Sequence, residues 1–381
     1  MISKGKIYKT GYCQIIMDYK TKICFFSVGF AFNRLVRLRY YEKIFPKDVE
    51  IFLITTDKYG NAKEEEKKWG LNRTKVVVLK HNPIKNIFEI RKICDKNKID
   101  ILSNLGHPFG SVPLLFARIF RHRKVFLYYL GDVLEIFKTT KMSFKKVKLF
   151  LILIPYFILS KITDKSAFVG HRSYKRAPYF FLSSKNKFCF LQAPVNVNLF
   201  RPYDKVRSRK KLGIDKEKKV VIYVGRVTYL KGGDILSEII KLNPDIDFIV
   251  IGKWIEEEIP MIRSKNLRFI ERVPNEKLPE YYSASDLTFV YNRQGDQPQI
   301  TGSESLACGV PVLHTERFYA PDESFIIRIK DDVKDADKKL KTFFTVDKKK
   351  RKIISTKARE YAVSSMSDEF WKGKYIDFFL K

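Results

Sequence analysis

Short apolar runs alternate with longer amphipathic stretches along the whole chain, the pattern of βαβ units built on a parallel sheet. In the first half the runs are KICFFSV (22–28), EIFLITT (50–56), KVVVLK (75–80), DILSNL (100–105), KVFLYYL (124–130) and SAFVG (166–170). The second half repeats the grammar with VVIYVG (220–225), DFIVIG (247–252), LRFIERV (267–273), DLTFVYN (286–292) and VPVLHT (310–315). Between the first two runs, Asn33–Phe45 carries Leu35, Leu38, Tyr41 and Phe45 near a 3.6-residue period and is closed by Pro46, which predicts a helix. A stretch rich in Pro, Asn and charge, 194–219, separates the halves and puts a boundary near residue 200. The expected fold class is α/β, two doubly wound Rossmann-like domains facing each other across a cleft.

Composition supports a folded, two-domain protein. The chain has 381 residues, 45% of them hydrophobic and 30% charged, which excludes disordered, collagenous and coiled-coil classes. Cys13, Cys24, Cys94, Cys189 and Cys308 are scattered without any Cys-x-x-Cys, so neither a disulfide framework nor a zinc knuckle is expected, and a reducing cytoplasm is the simpler setting. Ile15-Ile16-Met17 is cut off by Asp18 and Lys20, too short for a signal peptide. The longest apolar run, Leu149–Leu159, has 11 residues where about 20 are needed to span a bilayer. It reads as a core helix or, flanked by Lys145, Lys146, Lys148 and Lys161, as a monotopic contact with the membrane interface.

Charge changes the picture more than composition does. The formal net charge is +32, and +24 of it falls in residues 1–200, concentrated in RIFRHRK (118–124), KMSFKKVK (141–148) and HRSYKR (171–176). Such an excess points to an anionic partner: lipid headgroups, nucleic acid or a phosphorylated substrate. No nucleic-acid recognition motif accompanies it, so no specific nucleic acid is expected.

In doubly wound sheets, ligands bind beyond the C-terminal ends of strands, where helix N-termini offer free N–H groups. The first strand of the second half runs into GRVTYLKGG (225–233), which places Gly225 at a tight turn, Arg226 after it, and Lys231 with Gly232 and Gly233 at the next helix start. A planar guanidinium and an ammonium on either side of a glycine loop form a candidate diphosphate clamp. No Walker loop and no G-x-G-x-x-G occurs. A second candidate follows the strand 286–292, where Asp296 and Glu304 stand eight positions apart and Glu304 is expected in the first turn of a helix ending before Gly309. A carboxylate there accepts sugar or ribose hydroxyls while helix N–H groups face a phosphate.

Together, VGRVTYLKGGDIL (224–236), FIVIGKW (248–254), LPEYYSASDLTFVYN (278–292) and ESLACGVPVL (304–313), in this order, resemble the nucleotide-binding domain of the retaining GT-B glycosyltransferases called glycosyltransferase group 1. PVNVNLFRP (194–202) is similar to that family's interdomain linker, with Asn196 where glycine is usual. The resemblance implies that Arg226 and Lys231 bind the donor diphosphate, that Glu304 holds the ribose, and that Asp296, shorter than the family's Glu, stands near the donor sugar. Gln297-Pro298-Gln299 replaces the usual Gly-Phe-Gly, leaving Gly302 and Ser303 as backbone donors to phosphate, and the base is read around Val273. In the first domain the layout implies His107 at a strand end facing the cleft, Asp132 in the next loop, and a reshaped acceptor loop at Gly29, where the family has a glycine pair.

These features imply an N-terminal acceptor domain at 1–199, a nucleotide-sugar domain at 200–365, and a final helix, 366–381, crossing back to the first domain. The expected activity is a metal-independent, retaining hexosyltransferase that needs no cofactor. It would move a sugar from a nucleoside diphosphate sugar to a lipid-linked or polysaccharide acceptor at an anionic membrane surface, in the cytoplasm. The alternatives are a catalytically silent nucleotide-sugar-binding scaffold subunit and a GT-B sugar-nucleotide epimerase.

Overall fold

The computed structural model describes residues 20–29, 32–58, 70–105, 112–129, 157–158, 160–293, 299–316 and 323–381. Two parallel sheets organise them. The first contains β1 (Lys22–Ser27), β2 (Glu50–Thr56), β3 (Thr74–Leu79), β4 (Ile101–Asn104), β5 (Lys124–Tyr129), β6 (Lys165–Phe168) and β7 (Phe188–Phe190), in the order 3-2-1-4-5-6-7. The second contains β8 (Lys219–Val224), β9 (Ile246–Ile251), β10 (Leu267–Ile270), β11 (Leu287–Val290), β12 (Val312–Thr315) and β13 (Ile326–Ile329), in the order 10-9-8-11-12-13. Strand order reverses between β1 and β4 and between β8 and β11, and at such switch points a crevice opens beyond the strand ends.

The continuous apolar runs follow from burial on both faces. In β1, Ile23 and Phe25 point into one core while Cys24 and Phe26 point into another; in β8, Val220 and Ile222 oppose Val221 and Tyr223 in the same way. Helices cover both faces: α1 (Phe32–Ile44), α2 (Pro83–Lys96), α3 (Val112–Arg118) and α4 (His171–Phe180) in the first half, and α5 (Lys205–Leu212), α6 (Gly233–Leu242), α7 (Leu278–Ala284), α8 (Ile300–Ala307) and α9 (Val333–Thr345) in the second. Several start at an Asn or Asp whose side chain accepts an orphan amide: Asn82 from Lys85, Asp204 from Arg207 and Asp332 from Asp335. The strands expected from the apolar runs all form, although the third of the second sheet ends at Ile270 rather than at residue 273. Strands β7 and β13 were not anticipated; FCF and IIRI are too short to show a period of their own.

The chain passes between the two halves twice. Helix α10 (Lys348–Tyr361) runs through a π-helical turn at Ala362–Met366 into α11 (Asp368–Leu380). Alongside that turn, the Val195 amide donates to Met366 O at 2.9 Å and the Asp368 amide donates to Val195 O at 3.2 Å. Ser367 caps α11 by accepting from the Phe370 amide. Trp371, Tyr375, Phe378 and Phe379 of α11 are buried in the same core as Phe25 and Tyr41 of the first half. The Phe379 ring sits edge-on to Phe25 at 5.5 Å and to Tyr41 at 5.3 Å, and the Tyr375 hydroxyl donates to Gln192 O at 3.1 Å.

Because the last helix completes the first core, Phe379→Ala should cost about 3–5 kcal/mol, the usual range for emptying an aromatic core site. Urea unfolding followed by near-UV signals should show the transition of the first half moving to lower urea while that of the second half stays in place.

Candidate active site

The C-terminal end of the second sheet carries a cavity of about 260 Å³ at its switch point, lined among others by Gly225, Arg226, Lys231, Tyr291, Ile300 and Thr301. Its geometry begins with a close backbone approach. Gly225 (φ 146°) and Gly252 (φ 133°) end β8 and β9, and a Cβ on Gly252 would lie 2.1 Å from the Gly225 carbonyl oxygen. Only glycine fits there, and the Gly225 amide donates to Ile251 O at 2.8 Å. The Tyr223 hydroxyl then donates to Arg226 O at 2.6 Å, fixing the loop so that the exposed Arg226 stands at the cavity mouth.

Lys231 closes the other side. A 3-10 turn, Tyr229–Lys231, leads to Gly232 in the left-handed region (φ 69°), where a Cβ would strike the Tyr291 ring at 2.6 Å. Helix α6 starts there, and the Lys231 ammonium donates to the Gln299 side-chain oxygen, tying the loop after β8 to the N-cap of α8. Burial, aided by Arg226, pushes the Lys231 ammonium down to about 8. Arg293 braces the same corner: its guanidinium pairs with Asp234 at 2.7 Å and with Asp331 at 2.6 Å, and lies 4.0 Å from the Tyr229 ring centroid.

Helix α8 places the second group of expected residues, and here the structure corrects the sequence reading. Glu304 lies in the second turn of α8, not the first, because the helix begins at Ile300. Its carboxyl is buried beneath the cavity, accepts a hydrogen bond from the Tyr282 hydroxyl at 3.1 Å, and is pushed up to about 8 by burial. Gly302 and Ser303 are not the free backbone donors either. Both amides donate to Gln299 O, at 2.9 and 3.2 Å, so the first-turn amides left without an intrahelical acceptor are those of Ile300 and Thr301, two residues that line the cavity. Val273 follows β10 and packs, half-buried, against the second domain's core without lining the cavity. The sequence does not single out Ile300, Thr301, Tyr223 or Tyr291: the tyrosines stand inside runs that read as strand, and the helix starts earlier than a first turn at Glu304 implies.

In the first half, Gly29 ends β1 at φ 69° with its amide donating to Thr56 Oγ1 at 3.0 Å. The Arg34 guanidinium fills this loop, donating to Ser27 Oγ at 2.6 Å and to Val28 O at 2.9 Å, so the loop is held by a side chain and is not an open glycine turn. Asp296, His107 and Asp132 lie outside the described residues, as does most of the apolar stretch 147–162.

Two parallel-sheet Rossmann-like domains with a cation-lined cavity at the second switch point define the GT-B fold. Solved GT-B structures superpose on nearly the whole chain: HepE from Anabaena in complex with UDP has a TM-score of 0.73 at 13% identity, covering 94% of this chain and 98% of its own. A glycosyltransferase from Rickettsia africae gives 0.71 at 14% identity, covering 94% and 97%. The family described as "Glycosyl transferases group 1" matches residues 204–361. Curated relatives include the D-inositol 3-phosphate glycosyltransferase of Segniliparus rotundus, 29% identical over 35% of this chain and 33% of its own length. The lipopolysaccharide core biosynthesis mannosyltransferase LpsB of Rhizobium meliloti is 32% identical over 30% of this chain and 36% of its own length. The chain thus spans about a third of the length of these two relatives.

The Lys231 shift fixes a pH dependence. Its folded value, about 8, lies below its unfolded value near 10.5, so between those pH values the unfolded chain binds more protons and the group's contribution to stability rises with pH. Relative to Lys231→Met, the unmutated protein should gain about 2 kcal/mol between pH 7 and pH 9.5 in paired urea titrations. An unchanged difference would mean that the ammonium is not desolvated.

Proposed function

We propose that the protein is a retaining, metal-independent hexosyltransferase acting on a nucleoside diphosphate sugar, with a lipid-linked or polysaccharide acceptor. The observation that carries this reading is the pairing of Arg226 and Lys231 across a cavity whose back wall is the N-terminus of α8. As the bond from the sugar's anomeric carbon to the diphosphate breaks, negative charge grows on the departing oxygen. A guanidinium, an ammonium and the amides of Ile300 and Thr301 meet that charge without reorganising, which lowers the barrier. Lys231 is desolvated before any ligand enters, so its attraction to a diphosphate is stronger than that of a solvated lysine. HepE in complex with UDP-glucose shares the fold and makes UDP the first nucleotide to test. With His107, Asp132 and Asp296 as the further catalytic and acceptor-side candidates, the acceptor would enter from the first domain. No metal and no cofactor are required in this reading.

One surface supports the reading that the acceptor lies at the cytoplasmic face of a membrane. Among the described residues no helix is long and apolar enough to cross a membrane. At the base of the first sheet, however, Phe120 (87% exposed) and Leu182 (71% exposed) are held outward by left-handed backbone, φ 58° and 46°. The Lys161 ammonium caps Leu182 O, Lys187 caps Lys161 O at 2.9 Å, and Arg118 caps Ile162 O. Apolar tips ringed by cations match the interface of an anionic bilayer.

A thermal-shift series of UDP, GDP, ADP and dTDP with their common sugars should show one base raising the melting midpoint, and Arg226→Ala/Lys231→Ala should abolish that shift. No shift with any nucleotide would sink the transferase reading and favour a scaffold role; binding without sugar loss in the presence of acceptor extracts would do the same. Phe120→Ala/Leu182→Ala should lower sedimentation with vesicles containing 30% phosphatidylglycerol about tenfold or more, since each side chain is worth roughly 1.5–3 kcal/mol when buried. Unchanged sedimentation would mean that this surface is not the contact.

A further inference from the structure

A larger cavity, about 580 Å³, opens at the opposite end of the second sheet, where β8, β11 and β12 begin at Lys219, Leu287 and Val312. Two helix faces line it. On α10, Lys348, Arg351, Lys352 and Ser355 recur at the spacing of a single face, and from α5 Lys205 and Arg209 look into the same space. The acids nearby are already engaged. Asp286 takes Lys205 at 2.5 Å, Arg209 at 2.9 Å and the Val220 amide at 2.8 Å, and Glu217 reaches Lys348 at 3.4 Å. Lys216, Arg351 and Lys352 are then left with no acidic partner among the described residues, although Arg351 is half-buried. Burial lowers the Lys205 ammonium against the opposing pull of Asp286, with smaller contributions from Arg209 and Arg351, as expected of a concave, partly desolvated site.

A run of surface lysines is ordinarily a solvated face. Here the cations converge on a concave space of small-molecule size, and Phe344 and Tyr203 supply apolar wall beside them. We propose that this cavity is a second ligand site, separate from the donor cavity, which takes a small phosphorylated molecule. Its phosphoryl oxygens pair with Arg351, Lys352 and Lys216, and its carbon part lies against Phe344. The site does not depend on the transferase reading, because none of its residues touches the donor cavity.

Inorganic tripolyphosphate and glucose 1,6-bisphosphate, titrated calorimetrically at 150 mM salt into the full chain carrying Arg226→Ala/Lys231→Ala, report this site without the donor clamp. Both probes should bind, and adding Arg351→Ala/Lys352→Ala should weaken them about tenfold or more. The charge-matched control Lys334→Ala/Lys338→Ala, on the exposed side of α9, should leave them within about twofold. Equal losses from the two pairs would reduce the binding to diffuse charge, and no binding of either probe would remove the site; both overturn the proposal. If the double variant folds poorly, Lys216→Ala on its exposed loop decides the matter with a loss of about threefold.

Discussion

The second half of the molecule hangs on one backbone contact, the passage of the loop leaving β8 against the loop leaving β9. With Gly252 at φ 133° and its missing Cβ only 2.1 Å from the Gly225 carbonyl, the two loops touch where any other residue would force them apart. The amide of Gly225 on Ile251 O, that of Val227 on Lys253 O and that of Ile255 on Val227 O continue the contact past the sheet edge. This extension holds Arg226 at the cavity mouth and starts the turn that ends at Lys231. A side chain at either glycine would therefore act on the cation pair without touching it. The strain of two positive-φ positions is tolerable only because glycine carries none of the steric cost.

The contact between the halves obeys a similar economy. Arg359 of α10 donates to Phe200 O at 2.8 Å and Val197 O at 3.0 Å in the linker, and to Ala307 O at 2.7 Å at the end of α8. One guanidinium thus ties the segment joining the domains to the helix whose other end forms the cavity wall. The second crossing, through the π-helical turn at Ala362–Met366, is pinned to Val195 and anchored by the aromatic face of α11. Any rotation of one half against the other would turn at these two crossings, where the chain passes from one core to the other.

Much of the fold was legible because parallel strands buried on both faces leave long apolar runs, and these mark β1, β2, β8 and β9 without ambiguity. The linker, the Gly225–Arg226 turn and the Lys231–Gly232 helix start were legible for a related reason: local backbone geometry demanded particular residues there. What escaped was set by tertiary packing. Strands β7 and β13 exist because a neighbour offers an edge, at Phe168↔Phe190 and Thr315↔Ile329, not because FCF or IIRI insists on extension. The start of α8 escaped because the Gln299 carbonyl captures the amides of Gly302 and Ser303, which moves the free donors to Ile300 and Thr301 and drops Glu304 one turn deeper. The Arg34 side chain in the β1 loop left no local mark, since its partners are carbonyls.

Burial shifts two groups of the donor site toward neutrality, Lys231 down to about 8 and Glu304 up to about 8. At neutral pH the two are not equivalent. Lys231 keeps its proton and stays charged, at a cost in stability; Glu304 also keeps its proton and is neutral, so the Tyr282 hydroxyl and the carboxyl form a neutral pair under the helix. Among the described residues that line or underlie the cavity, Arg226 and Lys231 are therefore the charged groups, and Glu304 beneath them does not oppose them. Ionising Glu304 would set a charge into the core next to Tyr282, and burial resists it. A buried carboxyl and a desolvated ammonium both lower the stability of the empty protein, and an anion entering the cavity offsets the burial of the Lys231 charge and, to a lesser degree, its repulsion with Arg226.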